Sequence, residues 1–298
     1  MICEGTDVDR ADLARVRSLA AWTAALAGDL DKAARHLAPV NDASSAMDLP
    51  DDVVLSIQVA RCLREMYGNV PTVVTTAAEV RRLAERIGDP WEVAYACGTH
   101  ALVLSYHGRR TEAEAALAAQ ADAVRRVGNE SSQAWWWYCR AEVSGEHDPA
   151  RTVELARRGV EIARRADAML IETVAQITAV TVAARHGRAA EVVEEMASVI
   201  DRCRRQGAWT HLTVTIQNLV EALALTPGAE ADAARLLHAL PEAVTAYGEQ
   251  GERLAAVADT LRTALGDDAY EAAAAQGHVL DRAGVAVAAL EALDHLRG

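Results

Sequence analysis

A segment that occurs twice constrains this fold more than any other feature of the sequence. Residues 106–128 read YHGRRTEAEAALAAQADAVRRVG, and residues 185–207 read RHGRAAEVVEEMASVIDRCRRQG. Both segments carry His-Gly-Arg near the start and a large apolar residue nine positions after the first glycine, Leu117 or Met196. Both also end on a second glycine, twenty positions after the first. A frame that returns in this way predicts a chain built from copies of one structural unit.

The first glycine of this frame recurs along the chain at a spacing close to 40 residues. Successive copies are 40, 40, 37, 42 and 41 residues apart, at Gly28, Gly68, Gly108, Gly145, Gly187 and Gly228. The second glycine follows in four of the units, at Gly88, Gly128, Gly207 and Gly248. Apolar residues between paired glycines recur at helical spacing, and no stretch alternates apolar and polar residues as a strand does. Each unit is therefore predicted to be a pair of antiparallel helices, and the fold to be all-α.

Several helix starts are marked by capping residues. Asp89-Pro90-Trp91-Glu92 combines an N-cap aspartate, a proline at the first helical position and a glutamate that completes a capping box. Asp148-Pro149 repeats the first two of these features. Thr111 and Glu114 have the spacing of a further capping box. These residues predict where three of the helices begin.

The repeat divides the chain into two segments. Residues 1–250 are predicted to form an array of six hairpins, which starts with a helix over 9–27 and contains a loop-like stretch over 41–52. Residues 251–298 have a different character and are predicted to be the capping helices of the same array. Those helices are expected at 252–265, 268–276 and 283–297.

Charge and composition exclude several classes of function. The net charge of −13 disfavours direct nucleic-acid binding, because phosphate contacts usually require a basic surface. The sequence lacks both a signal peptide and an apolar run of membrane-spanning length, so we expect a cytoplasmic protein with no membrane contact. The five cysteines form no Cys-x-x-Cys pair, and the histidines have no metal-ligand spacing. No metal or cofactor is therefore expected.

The most unusual stretch is Trp135-Trp136-Trp137-Tyr138. Four consecutive helical residues cover most of the helix circumference, so these rings cannot all lie on one side. One interpretation is that the helix is buried between neighbours on nearly all sides. The other is that one or two rings line a concave surface and bind a ligand or a partner, as Trp and Tyr often do. Trp91 and Trp209 lie near the starts of equivalent helices, so their recurrence also fits a packing role.

An enzyme is disfavoured by the sequence. It contains no phosphate-binding loop, no Gly-x-Ser-x-Gly and no Ser-x-x-Lys. Asp51-Asp52 is similar to the start of the aspartate-rich metal motif of all-helical terpene synthases. The remaining acidic residues of that motif are missing, and so is an aromatic-rich cavity.

The hairpins resemble the tetratricopeptide-repeat-like (TPR-like) arrays of large ATP-dependent bacterial regulators of the MalT and LuxR (LAL) type. The tail carries the most specific part of the resemblance, in Leu265-Gly266-x-x-x-Tyr270-x-x-x-x-x-x-Gly277-x-x-Leu280 and Val287-Ala288-x-Leu290. The Tyr270 position is more often Phe in those proteins. The resemblance implies a right-handed superhelical solenoid of about seven TPR-like antiparallel helix hairpins.

The resemblance also implies a regulatory role. In such regulators the array senses an inducer or holds a partner, and it gates an NTPase and a DNA-binding domain. Neither domain is present in this sequence. We therefore expect a non-catalytic interaction or sensor array that binds a protein, a peptide or a small inducer on its concave face. The alternative is the detached regulatory part of a LuxR- or MalT-type transcriptional regulator. The candidate binding residues are Trp135, Trp136, Trp137, Tyr138, Trp91 and Trp209.

Overall fold

The computed structural model describes residues 9–44, 49–240 and 250–297, and these residues are helical almost throughout. The described part of the chain contains no β-strand, so the all-α prediction is confirmed. The helices are α1 (Arg10–Leu26), α2 (Leu30–Ser44), α3 (Asp51–Tyr67), α4 (Val73–Ile87), α5 (Pro90–Tyr106), α6 (Arg110–Val127), α7 (Glu130–Ser144), α8 (Pro149–Arg165), α9 (Met169–Ala183), α10 (Ala189–Gln206), α11 (Trp209–Ala224), α12 (Glu230–Ala239), α13 (Gln250–Leu265), α14 (Asp267–His278) and α15 (Arg282–Ala292).

Two of the predicted N-caps are confirmed. The Asp89 carboxylate accepts a hydrogen bond from a main-chain N–H in the first turn of α5, at 2.8 Å. Asp148 does the same for α8, at 3.0 Å. Each side chain satisfies an N–H group that has no acceptor within its own helix.

The capping box predicted at Thr111 and Glu114 is wrong. α6 begins at Arg110, two residues before the helix start that an N-cap at Thr111 requires, and its N-cap residue Arg109 makes no capping hydrogen bond through its side chain. Glu114 instead pairs with Arg110 at 3.0 Å, one helical turn away. The ion pair takes the glutamate that the capping box required.

Glycine is used at the turns because the backbone there needs positive φ. Five of the six glycines that open the repeat units have φ between 51° and 87°: Gly28, Gly108, Gly145, Gly187 and Gly228. Gly68 is the exception, and its neighbour Asn69 takes the left-handed conformation instead, with φ 49°. In the unit that lacks the second glycine, Asp167 adopts φ 53° in its place. Asparagine and aspartate tolerate this conformation better than other side chains do.

The helices pack in order along the chain, and alternate helices also meet. α5 contacts α7, α7 contacts α9, and α9 contacts α11, while α1 contacts both α3 and α11. We call α1, α3, α5, α7, α9 and α11 the inner helices. Helices α13 to α15 pack on α10, α11 and α12, and one apolar cluster runs through this C-terminal part of the molecule. Whether residues 251–298 act as a cap on a longer array remains a prediction.

Two sequence-based boundaries need correction. The loop predicted over 41–52 is wrong at both ends, because α2 continues to Ser44 and α3 starts at Asp51, and residues 45–48 lie outside the described residues. The helix predicted to end before Gly277 includes this glycine. A Cβ atom at Gly277 would lie 2.3 Å from the carbonyl oxygen of Arg235, so the missing side chain lets α14 approach the backbone of α12. Gly248 lies outside the described residues.

None of the helices that the structure describes has the length and apolar composition needed to span a bilayer.

Candidate functional site: a cavity between the inner helices

The inner helices surround a cavity of about 1150 Å³. Side chains from all six inner helices line it, and Glu252 and Arg253 at the start of α13 complete the wall. The cavity is somewhat larger than typical small-ligand pockets, which have volumes of roughly 300–1,000 Å³. The inner helices therefore leave a partly enclosed space between them.

Contacts between the two ends of the row of inner helices close the cavity. Thr210 on α11 donates a hydrogen bond from Oγ1 to the carbonyl oxygen of Ala25 on α1, at 2.7 Å. Beside it, the hydroxyl of Tyr67 on α3 lies 3.0 Å from Nε2 of His211. Arg282 on α15 adds a hydrogen bond to the carbonyl oxygen of Ala27 at 3.1 Å. We call this set of contacts the seam.

One wall of the cavity is made of stacked aromatic rings. Tyr95 on α5 and Trp135 on α7 are nearly parallel, with ring centroids 5.5 Å apart and an interplanar angle of 18°. Tyr138, one turn further along α7, lies 5.3 Å from Trp135 between ring centroids. Trp22 on α1 lines the same cavity. Because aromatic pairs prefer offset-stacked or edge-to-face geometry, these rings stabilise each other's orientation.

The later turns of the inner helices supply polar groups. The Glu142 carboxylate accepts a hydrogen bond from the Tyr106 hydroxyl at 2.7 Å and another from Thr178. Burial raises the pKa of Tyr106 well above its ordinary value, and the nearby Glu142 carboxylate raises it further. The phenol therefore stays protonated at neutral pH, and its proton is available to the carboxylate.

A second polar group lies where α9 meets α10. Arg185 donates to Asn218 at 2.6 Å and to both carboxylate oxygens of Glu221 at 3.0 and 3.1 Å. Arg253 from α13 approaches Glu221 to 3.5 Å. This two-oxygen contact holds the guanidinium in one orientation at the cavity wall.

His211 is a buried histidine in this wall. Burial lowers its pKa to about 4, so the ring is neutral at physiological pH. Its Nε2 faces the Tyr67 hydroxyl, whereas Nδ1 has no hydrogen-bond partner within residues 9–44, 49–240 and 250–297. The ring also packs edge-on against Tyr67, with centroids 5.8 Å apart.

Three of the six candidate residues from the sequence line the cavity: Trp135, Tyr138 and Trp91. Trp136 lies on another side of α7 and packs against the cluster that contains Ala123 and Val124. Trp137 packs against apolar residues of α8. The stretch therefore divides between the cavity wall and the packing against neighbouring helices, and binding by Trp135 and Tyr138 remains a prediction.

Trp209 lies apart from the other candidates. It lines a second, smaller cavity of about 540 Å³ that also includes Gly28 and Arg282. The Arg282 guanidinium lies 5.6 Å from the centroid of its indole ring, and the indole packs against the C-terminal apolar cluster. Its position links α11 to the turn after α1.

Most residues of the cavity wall were not predicted from the sequence, although one position of the repeat indicates some of them. The residue two positions before the first glycine of the frame lines the cavity in five units, at Leu26, Met66, Tyr106, Val143 and Arg185. The alignment of the two best copies places Tyr106 opposite Arg185. This variable position at the end of each inner helix could have been selected as a candidate.

The cysteines that the structure describes and Asp52, whose side chains could serve as nucleophiles or metal ligands, are instead buried in packing or held in an ion pair. Burial raises the pKa of the Cys62 and Cys203 thiols to about 12 and that of Cys97 to about 11. Asp52 pairs with Arg15 at 2.8 Å. In the part of the chain that the structure describes, no group of three or more His, Cys, Asp and Glu side chains could hold a metal ion.

No protein-family model and no curated protein sequence matches the chain.

Proposed function

We propose that this chain is a non-catalytic sensor and interaction module that binds its ligand in the cavity between the inner helices. In this proposal the hairpins form a right-handed superhelical solenoid of TPR-like units, and the protein acts in the cytoplasm. Binding of a protein segment, a peptide or a small inducer changes the conformation of the module, and this change alters its contacts with the protein that it regulates.

The observation that supports this proposal is the cavity itself. Its wall combines the stacked Tyr95 and Trp135 rings with two polar groups, centred on Glu142 and Arg185. A concave, mainly apolar site with a few fixed polar groups is typical of ligand-binding pockets. The polar groups hold one another through hydrogen bonds, an arrangement that suits recognition and orientation of a ligand.

A thermal unfolding assay tests the proposal. The protein is unfolded with and without extract of its source cell, because a ligand that binds only the folded state raises the unfolding temperature. The Val214→Trp variant places an indole in the cavity from the middle of α11, where Val214 lines the wall and is partly exposed. In the matched control, Leu225→Trp, the same side chain is added just after α11 at a position that is 78% exposed.

We expect extract to stabilise the natural protein and Leu225→Trp, but not Val214→Trp. Equal stabilisation of all three proteins would place the bound molecule outside the cavity. If extract stabilises none of them, the proposed function is wrong.

A further inference from the structure

The polarity of the cavity wall changes from one end of the inner helices to the other. At the first turns of α5 and α9, the cavity is lined by Trp91, Met169 and Leu170, which are 41%, 58% and 41% exposed. The polar groups centred on Glu142 and Arg185 lie where α7 and α9 end. The mouth of the cavity at the first turns of α5 and α9 is therefore apolar, whereas the opposite end combines the polar groups with apolar residues such as Leu26 and Met66.

The two charged groups at the centre of the polar wall, Glu142 and Arg185, already have hydrogen-bond partners within the protein. Arg185 is bound to Asn218 and Glu221, and Glu142 accepts hydrogen bonds from Tyr106 and Thr178. An extended peptide carries one N–H and one C=O group per residue, and each of these loses water when it enters a cavity. Burying them without partners costs free energy. The wall thus suits a ligand with few polar atoms.

The stacked aromatic wall is also held in place from behind. Trp135 lies over Gly98 of α5, where an added Cβ would come within 2.5 Å of the indole Nε1 atom. The ring can occupy this position only because residue 98 has no side chain. Tyr95 stacks on Trp135 with nearly parallel rings, so the two rings hold each other in place before any ligand binds. A flat ligand can pack beside these ordered rings at little cost in side-chain ordering.

On the basis of the proposed function, we propose that the cavity binds a compact, flat and mainly apolar small molecule. Its ring system lies beside Trp135, Tyr95 and Trp22, and it enters through the apolar mouth. A single hydrogen-bonding group on the ligand points to the polar end near Glu142 and Arg185. The volume of about 1150 Å³ accommodates a molecule of several fused or linked rings.

The test uses N-phenyl-1-naphthylamine, a neutral aromatic probe whose fluorescence increases in apolar surroundings. The probe is titrated into the full chain, into Trp135→Leu and into Trp137→Leu. Trp137→Leu is the matched control because it deletes the same ring from the same helix, but on the side that packs against α8. Circular dichroism establishes that each variant is folded. Val214→Trp, which places an indole in the cavity and keeps the aromatic wall, provides a second measurement if Trp135→Leu does not fold.

We expect saturable binding of one probe molecule per chain, with quenching of tryptophan emission. The dissociation constant should rise at least about tenfold in Trp135→Leu, through loss of the stacking surface, and should change little in Trp137→Leu. Val214→Trp should abolish binding. Equal binding to Trp135→Leu and Trp137→Leu would overturn the role of the aromatic wall.

A mixture of random heptapeptides distinguishes this inference from the proposed function. If the peptides raise the unfolding temperature of the natural protein but not of Val214→Trp, and the probe fails to bind, the ligand is a peptide. The inference is then wrong, and the proposed function stands. If neither the probe nor the peptides bind, and source-cell extract also stabilises nothing, both are wrong.

Discussion

The side chains of Trp135 and Gln120 pack against α5 at Gly98. A Cβ atom there would lie 2.4 Å from Nε2 of Gln120 and 2.5 Å from Nε1 of Trp135. Gly98→Ala should therefore destabilise the protein, by about 1–3 kcal/mol for overpacking, less the roughly 1 kcal/mol that alanine gains in a helix. Chemical denaturation followed by circular dichroism measures this change. Gly251→Ala is the control, because this helical glycine has no atom within 4 Å of an added Cβ. A Gly98→Ala protein as stable as Gly251→Ala would show that the indole moves aside freely.

His211 gives the folded protein a pH dependence whose direction follows from its burial. The pKa is about 4 in the folded state against 6.5 for an exposed histidine. Between these values the unfolded chain binds a proton that the folded chain does not. Stability should therefore fall as pH is lowered from about 6.5 to about 4, by up to about 1.4 kcal/mol per pH unit. Half-buried His100, whose pKa is also lowered to about 4, contributes in the same direction.

The His211→Gln variant separates the contributions of His211 and His100 to the pH dependence of stability. It removes the titrating ring, so its stability should depend less steeply on pH over this interval than that of the natural protein. His107→Gln, at an exposed turn position, is the control. Denaturant unfolding curves at several pH values provide the measurement. If all three proteins lose stability in parallel, the acid sensitivity comes from other groups.

The sequence predicted that the rings of 135–138 must divide between sides of α7, but not which ring faces the cavity. The reason is that α7 is apolar on several sides, so its sequence pattern has no single polar side that would orient it. Trp135 and Tyr138 are three residues apart and share one side, whereas Trp136 and Trp137 meet other helices. Glu142 and Arg185 escaped notice because single charged residues near helix ends are common in surface positions. Only their partners on neighbouring helices distinguish them.

At the level of single helices, the confirmed N-cap at Asp89 and the incorrectly predicted N-cap at Thr111 allow a matched comparison of stability. Asp89→Ala removes a carboxylate that accepts from the N–H groups of Trp91 and Glu92, at 2.8 and 3.2 Å. It should destabilise the protein by about 1 kcal/mol, the usual cost of losing an N-cap. Thr111→Ala should change stability by less than about 0.5 kcal/mol, because Thr111 is not an N-cap. Thermal unfolding compares the two, and an equal loss in both would contradict the capping assignment.

Helix positions were predictable because their ends depend on local chemistry. The tail pattern is likewise explained by packing between neighbouring helices. The Tyr270 hydroxyl lies 2.9 Å from Nε2 of His238, and the Arg262 guanidinium lies 4.3 Å from the centroid of the tyrosine ring. Gly277 lets α14 approach α12. These contacts give a physical reason for two residues of the tail pattern, Tyr270 and Gly277.

At the scale of the whole molecule, the seam could not be predicted. The hydrogen bond from Thr210 to Ala25 joins residues 185 positions apart. Its formation depends on the crossing angles of all the helix pairs between α1 and α11, so a modest difference at each pair would leave the ends separated. No local sequence pattern encodes this sum. The enclosed cavity is a consequence of it, which is why the sequence predicted a concave surface but not its closure.

The seam can be tested with two threonines on the same helix. Thr210→Val removes the hydroxyl that donates to Ala25 on α1, whereas Thr215→Val removes one that donates only within α11, to the carbonyl oxygen of His211. Losing a hydrogen bond of about 1 kcal/mol should weaken the seam and speed amide hydrogen exchange in α1 by about fivefold. Exchange in α7 and α8, which take no part in the seam, should not change. If both variants accelerate exchange in α1 equally, or if exchange rises throughout the chain, the bond between α1 and α11 does not hold the cavity closed.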